Sequence, residues 1–109
     1  MVVELDVFSG RPNPKWHLTE DERVKVAKLI ESLELATDDR APSPPGLGYR
    51  GFRLSDPAGS TYCVYGGFVR SSDALLADQS RRVEHFLLDH LPADFNELRQ
   101  LLEAELDPS

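Results

Sequence analysis

The sequence predicts an α+β domain: a small antiparallel sheet of three strands, covered on one face by helices. Three observations predict it. Residues 2–7 alternate apolar Val3, Leu5 and Val7 with acidic Glu4 and Asp6, the period-two pattern of a half-buried strand. Thr19 is followed three residues later by Glu22, the signature of a capping box, and then by an apolar stripe at helical spacing. Residues 49–70 read as two strands joined by a turn at Asp56-Pro57-Ala58-Gly59, where proline supplies the fixed φ of the second turn position. The element order is strand, helix, strand, strand, helix, helix. It contains no βαβ nucleotide unit, and so few strands need helices packed on them to be stable.

Taken in order, the first strand should end near Phe8. The first helix should start right after Thr19 and end near Ala36, with Val26, Leu29, Ile30 and Leu33 turned to the core. Pro42, Pro44 and Pro45, with Gly46 and Gly48, make residues 37–48 a surface loop, because proline removes backbone donors and glycine frees the chain again. In the hairpin, Gly66-Gly67 marks a bulge or a close backbone approach. Residues 71–79 read as a short helix or a loop, with Asp78 as N-cap for the helix carrying Val83, Phe86, Leu87 and Leu91. Pro92 opens a last helix whose apolar face is Phe95, Leu98, Leu101, Leu102 and Leu106, and the tail beyond should fray.

The length of 109 residues suits one domain with one core. A formal charge of −7 gives a field that repels phosphate backbones, so nucleic acid is not the expected partner. The lone Cys63 cannot make an internal bridge, the start has no basic leader, and no segment reaches the length of a membrane span. A cytoplasmic protein with no membrane association and no cofactor is expected.

Alternation also assigns faces. With Val3, Leu5, Phe52, Leu54, Tyr62 and Val64 turned inward, Glu4, Asp6, Tyr49, Gly51, Arg53, Thr61, Cys63 and Tyr65 should share the open face. Tyr49, Arg53 and Tyr65 there would supply contact area and directional hydrogen bonds to a protein or peptide, although ordinary exposed sheet explains the same pattern.

The stretch Phe8 to Trp16 is stiff. Arg11 and Asn13 each precede a proline and are driven to extended conformations, which delivers the chain to Thr19 at a set angle and lets Trp16 and Leu18 pack beneath the helix. Arg11, Asn13 and Trp16 are thereby candidate binding residues, with Asn13 equally able to tie down a turn. The run Ser-Gly-Arg-Pro-Asn-Pro-Lys-Trp after a strand, with Pro-Pro-Gly-Leu-Gly-Tyr-Arg-Gly-Phe later, resembles small uncharacterised bacterial proteins that carry the same segments. That resemblance covers about the first half of the chain and implies a shared fold; it brings no activity with it.

Catalytic constellations are thin. His85 and Asp89 at i, i+4 offer two metal ligands where a site needs more, Glu4 and Asp6 form a carboxylate pair with no cleft to shift one of them, and Cys63 has no base assigned to it. Pro42 to Pro45 forms a P-x-x-P that loop composition also explains. The expected function is therefore non-catalytic: a binding or accessory protein that recognises a protein or peptide through the open sheet face and the Arg11–Trp16 loop. The alternatives are a small enzyme or small-ligand pocket with Arg11 as anion anchor, and an acidic toxin-neutralising or regulatory protein. Exposed apolar residues on the last helix also leave a homodimer open.

Overall fold

A computed structural model describes residues 1–7, 12–36, 49–72 and 74–106. The expected loop over 37–48, Arg11 and the fraying tail lie outside the described residues, while the first strand ends at Leu5, short of the expected end near Phe8. The elements are β1 (Val2–Leu5), β2 (Lys15–His17), α1 (Glu20–Glu31), β3 (Glu34–Leu35), β4 (Phe52–Ser55), β5 (Thr61–Tyr65), β6 (Phe68–Arg70), β7 (Leu75–Ala77), α2 (Arg82–Asp89) and α3 (Asn96–Leu106), with short 3-10 turns at Gln79–Arg81 and Ala93–Phe95. All neighbouring strands are antiparallel, in the order β2-β1-β4-β5-β6-β7-β3.

The expected three-stranded sheet is thus replaced by one of seven strands, and the extra strands have physical causes. Lys15–His17 folds back on β1, with Leu5 N donating to Pro14 O (3.0 Å) and Leu18 N to Met1 O (3.0 Å). The two prolines therefore frame a hairpin, and Pro14 contributes an acceptor where its missing N–H is not needed. Gly66-Gly67 is neither bulge nor weak point. Its positive φ values, 63° and 86°, form the two-residue turn that pairs Tyr65 with Phe68, the backbone twist that suits a tight hairpin. Residues 75–77, expected as helix or loop, form a strand that is half-buried throughout. Helix α1 stops at Glu31, before Ala36, because Ser32 turns back on it with N–H and Oγ donating to Leu29 O (3.2 and 2.6 Å), freeing Glu34–Leu35 to pair with β7.

The capping box that starts α1 is complete: Glu22 N donates to Thr19 Oγ1 (3.2 Å) and Thr19 N donates to Glu22 Oε1 (2.8 Å). That backbone donor, with the Thr19 hydroxyl, holds the Glu22 carboxyl below its usual range. The helix then leads from edge strand β2 to edge strand β3. A twelve-residue helix is about 18 Å long, and seven strands span about 29 Å between edges; the linkers on either side make up the difference. α1 therefore crosses the sheet and lays Val26 and Ile30 over it.

One core results. Val3, Leu5, Phe52, Leu54, Val64 and Val69 from the sheet meet Val26 and Ile30 of α1, Val83, Leu87 and Leu88 of α2 and Leu102 of α3. The β1–β4 register sets it, with Val3 opposite Leu54 and Leu5 opposite Phe52. Trp16, opposite Val3, packs edge-on to Phe52 with centroids 6.5 Å apart. Arg99 fastens α3 to α2 by donating to Leu88 O (3.1 Å) and Asp89 O (2.8 Å), the last carbonyls of that helix.

The register ends at Gly51. Asp6 N donates to Gly51 O (2.9 Å) while Arg50 N, not Gly51 N, donates to Asp6 O (2.8 Å), so two residues oppose one, as in a bulge. Gly51 has φ +100°, and a Cβ there would lie 2.3 Å from Val64 O. Gly59 has nearly the same φ, +98°, but nothing within 4 Å of such a Cβ. Gly51→Ala should therefore cost at least about 2 kcal/mol and Gly59→Ala about 1 kcal/mol, by urea unfolding. Equal losses would show that the close approach to β5 is unimportant.

Candidate functional site

The sheet face away from the helices carries a row that crosses five of the seven strands. Lys15 stands opposite Glu4, Glu4 opposite Arg53, Arg53 opposite Cys63, and Cys63 opposite Arg70. Alternation places these side chains away from the core, and Lys15, Arg53, Cys63 and Arg70 are exposed. Glu4 Oε1 lies 3.9 Å from Lys15 Nζ and 4.0 Å from Arg53 Nη1, loose pairs that hold neither cation tightly. Among the described residues no acid is within ion-pair distance of Arg70.

The acids of this face are engaged locally. Asn13 Nδ2 donates to Glu4 Oε2 (3.0 Å) and Asp6 Oδ1 (3.3 Å), and its Oδ1 accepts from Val7 N (3.1 Å). Arg50 adds Nε (3.1 Å) and Nη2 (2.8 Å) to Asp6 Oδ1. Asn13 is therefore the clamp that closes the β1–β2 hairpin, and the Glu4/Asp6 pair is held by donors. The amide is well suited to this: one end accepts the backbone donor while the other separates two like charges.

The remaining candidates divide. Arg53 sits on the open face, as expected. Trp16 faces the core, half-buried. Tyr49, expected outside, is 8% exposed, because the positive φ at Gly51 turns the chain over and cancels the alternation beyond it. Its hydroxyl donates to Glu84 Oε2 (2.7 Å), and burial, then the Glu84 charge, pushes the phenol up. Tyr65 is half-buried against Tyr49, centroids 5.7 Å apart, and lies across from the side-chain-free Gly51. Tyr49 is therefore withdrawn from the open face and draws Tyr65 against it; Arg53 has charged neighbours instead.

Sequence reasoning missed the polar node behind this. Glu84 is fully buried; its Oε1 accepts from Gly67 N (2.9 Å), so one carboxylate joins Tyr49, the glycine turn and α2. The signal was an acid on the same helical face as Leu87, Leu88 and Leu91. Asp78, 1% exposed, accepts from Val83 N (3.0 Å) at the start of α2, reaching past the left-handed pair Ser80 and Arg81. Burial outweighs these donors and raises its carboxyl above the usual range.

Comparison with protein-family models, with curated proteins and with solved structures finds no match. What the chain can do is read from its own surfaces. His85 and Asp89 lie along α2 with Asp89 exposed, and the described residues hold no group of three or more His, Cys, Asp or Glu able to bind a metal ion. No helix among them is long and apolar enough to cross a membrane. The P-x-x-P at 42–45 falls outside the described residues. A hollow of about 480 Å³ lies at the end of the charged row, where Cys63 and Arg70 meet Ser60, Thr61 and Ser72, and an apolar furrow of about 370 Å³ lies between Lys25, Lys28, Leu29 and Phe86.

Asn13→Ala should lower stability by about 1–3 kcal/mol by urea unfolding, since it orphans Val7 N–H and leaves Glu4 and Asp6 without their shared donor. A loss under about 0.3 kcal/mol would remove the clamp. For Asp78 the sign follows from the raised value: the folded chain holds the proton more tightly than the unfolded one. The extra stability is complete below about 3.8 and disappears as pH rises through the higher folded value. Compared with Asp78→Asn, which does not titrate, the wild type should lose ground as pH rises from about 4 to about 7; a difference that is flat or grows with pH would contradict the assignment.

Proposed function

We propose that this chain is a recognition module that engages a protein or peptide partner on the open sheet face, without catalysing a reaction. The observation that carries the reading is the aligned row Lys15–Glu4–Arg53–Cys63–Arg70, in which three exposed cations stand in register around one half-buried acid. In a chain of net charge −7, this clustering of positive charge on one flat face runs against the composition as a whole. Arginine and lysine at such spacing complement the acidic side chains of a partner, which speeds encounter and sets register. The Asn13 clamp supports the reading from below: its amide hydrogen-bonds Glu4 and Asp6, Arg50 pairs with Asp6, and Lys15 and Arg53 keep only loose contacts with Glu4. The Arg11–Trp16 segment joins the surface through Lys15, while Asn13 and Trp16 serve the fold.

The test is capture from the native cell by wild type, Arg53→Glu and Lys28→Glu, the last carrying the same charge change on the exposed side of α1. Each variant is first shown to melt within a few degrees of the wild type. A partner held by wild type and Lys28→Glu, and at least tenfold depleted with Arg53→Glu, supports the open face. Equal retention by all three would place recognition elsewhere.

A further inference from the structure

The row on the open face ends in a concavity with a composition of its own. At the C-terminal end of β6, Arg70 borders the hollow of about 480 Å³ between the Asp56–Gly59 turn and the start of the β6–β7 turn. Around it stand the hydroxyls of Ser60, Thr61 and Ser72. None of these three hydroxyls has a hydrogen-bond partner among the described residues. Ser71 also lines the hollow but differs: its Oγ donates to Ala74 O (3.2 Å) and accepts from Ala74 N (3.0 Å), so it shapes the turn. Asp56, in the turn before β5, is half-buried and spends Oδ1 on Ala58 N (2.9 Å).

A planar guanidinium without an acid partner among the described residues, in one hollow with three hydroxyl side chains that can each donate, is the donor set of an oxyanion site: the arginine supplies charge and a fork, and the hydroxyls rotate to the remaining oxygens. We infer that this hollow is an oxyanion-binding subsite centred on Arg70, taking a carboxylate or phosphate group. The inference deepens the recognition reading, on which it rests only for the source of the anion, a side chain of the partner. The subsite is equally open to a free anion, so it is testable alone. Arg53, two strands away, belongs to the row and not to the hollow.

The experiment titrates the isotope-labelled full chain with inorganic phosphate and, separately, with acetate, at ionic strength held constant by chloride, following backbone amide shifts. Saturating shifts centred on Thr61, Arg70 and Ser72, weakened at least tenfold in Arg70→Gln and about threefold in Thr61→Val, support the subsite. Whichever anion binds more tightly identifies the group it prefers. Arg70 is exposed, so Arg70→Gln should melt as the wild type does. Arg53→Glu should leave the titration within about twofold of wild type, which separates failure of the subsite from failure of the wider face. Linear shifts no larger than with chloride, or an Arg70→Gln titration equal to wild type, would overturn it.

Discussion

The pairing of β1 with β4 decides which side chains meet water. Val3 opposite Leu54 and Leu5 opposite Phe52 put four large apolar groups on one side of the sheet, and the same step puts Glu4 opposite Arg53 on the other. A slip of one residue would exchange the two sets, because side chains alternate with period two. Each of the four apolar side chains is at most 2% exposed, so such a slip would return most of several large buried surfaces to water. The hairpin to β5 carries the pattern on, with Leu54 opposite Tyr62 and Phe52 opposite Val64. The charged row on the open face is thus a by-product of core packing, held in line by a register that the core enforces.

The register has a defined end, and the second polar feature of the molecule begins there. At Gly51 the backbone turns over, Arg50 folds onto Asp6, and Tyr49 passes inward to Glu84. Burying a carboxylate is costly unless its lone pairs are filled. Here they are filled by groups that only the completed fold supplies: a hydroxyl from the chain entering β4 and an amide from the turn between β5 and β6. Glu84 thereby makes the placement of α2 conditional on the sheet being correctly formed. Asp78 anchors the same helix from the other side of a left-handed pair, Ser80 and Arg81, a backbone geometry costing about 1–3 kcal/mol per residue that the surrounding contacts must hold.

Much of this was legible in the sequence, and the omissions share a cause. The α+β class, the capping box at Thr19, the turn at Asp56–Gly59 and the inward set of β1 and β4 all follow from periodicity and turn chemistry over stretches of four residues or more. The strands that escaped notice, Lys15–His17, Glu34–Leu35 and Leu75–Ala77, are two or three residues long, too short to show a period, and Phe68–Arg70 reads as the far end of the preceding strand. They are strands because a neighbour pairs with them. Gly66-Gly67 was informative but is ambiguous between bulge and tight turn until the pairing of Tyr65 with Phe68 is known. The misplacement of Tyr49 has the same origin, since alternation was carried through a glycine whose φ breaks it. Of the candidate site, Arg53 was legible as an open-face residue. Arg70 was not, because its strand reads as a continuation of the one before it and not as its antiparallel neighbour.

The most direct measurement of the governing register is the set of cross-strand Hα–Hα contacts in the nuclear Overhauser spectrum. Asp6 N donates to Gly51 O at the end of the ladder, so antiparallel alternation makes Val3/Leu54 and Leu5/Phe52 non-hydrogen-bonded pairs, with Cα atoms about 4.5 Å apart. Strong Hα–Hα peaks for both pairs, and for Arg53 with Cys63 on the next ladder, are the predicted result. Peaks linking Val3 to Arg53 or Ser55 instead would mean a register shifted by one, with the cations buried and the open face apolar, and would contradict the account at its base.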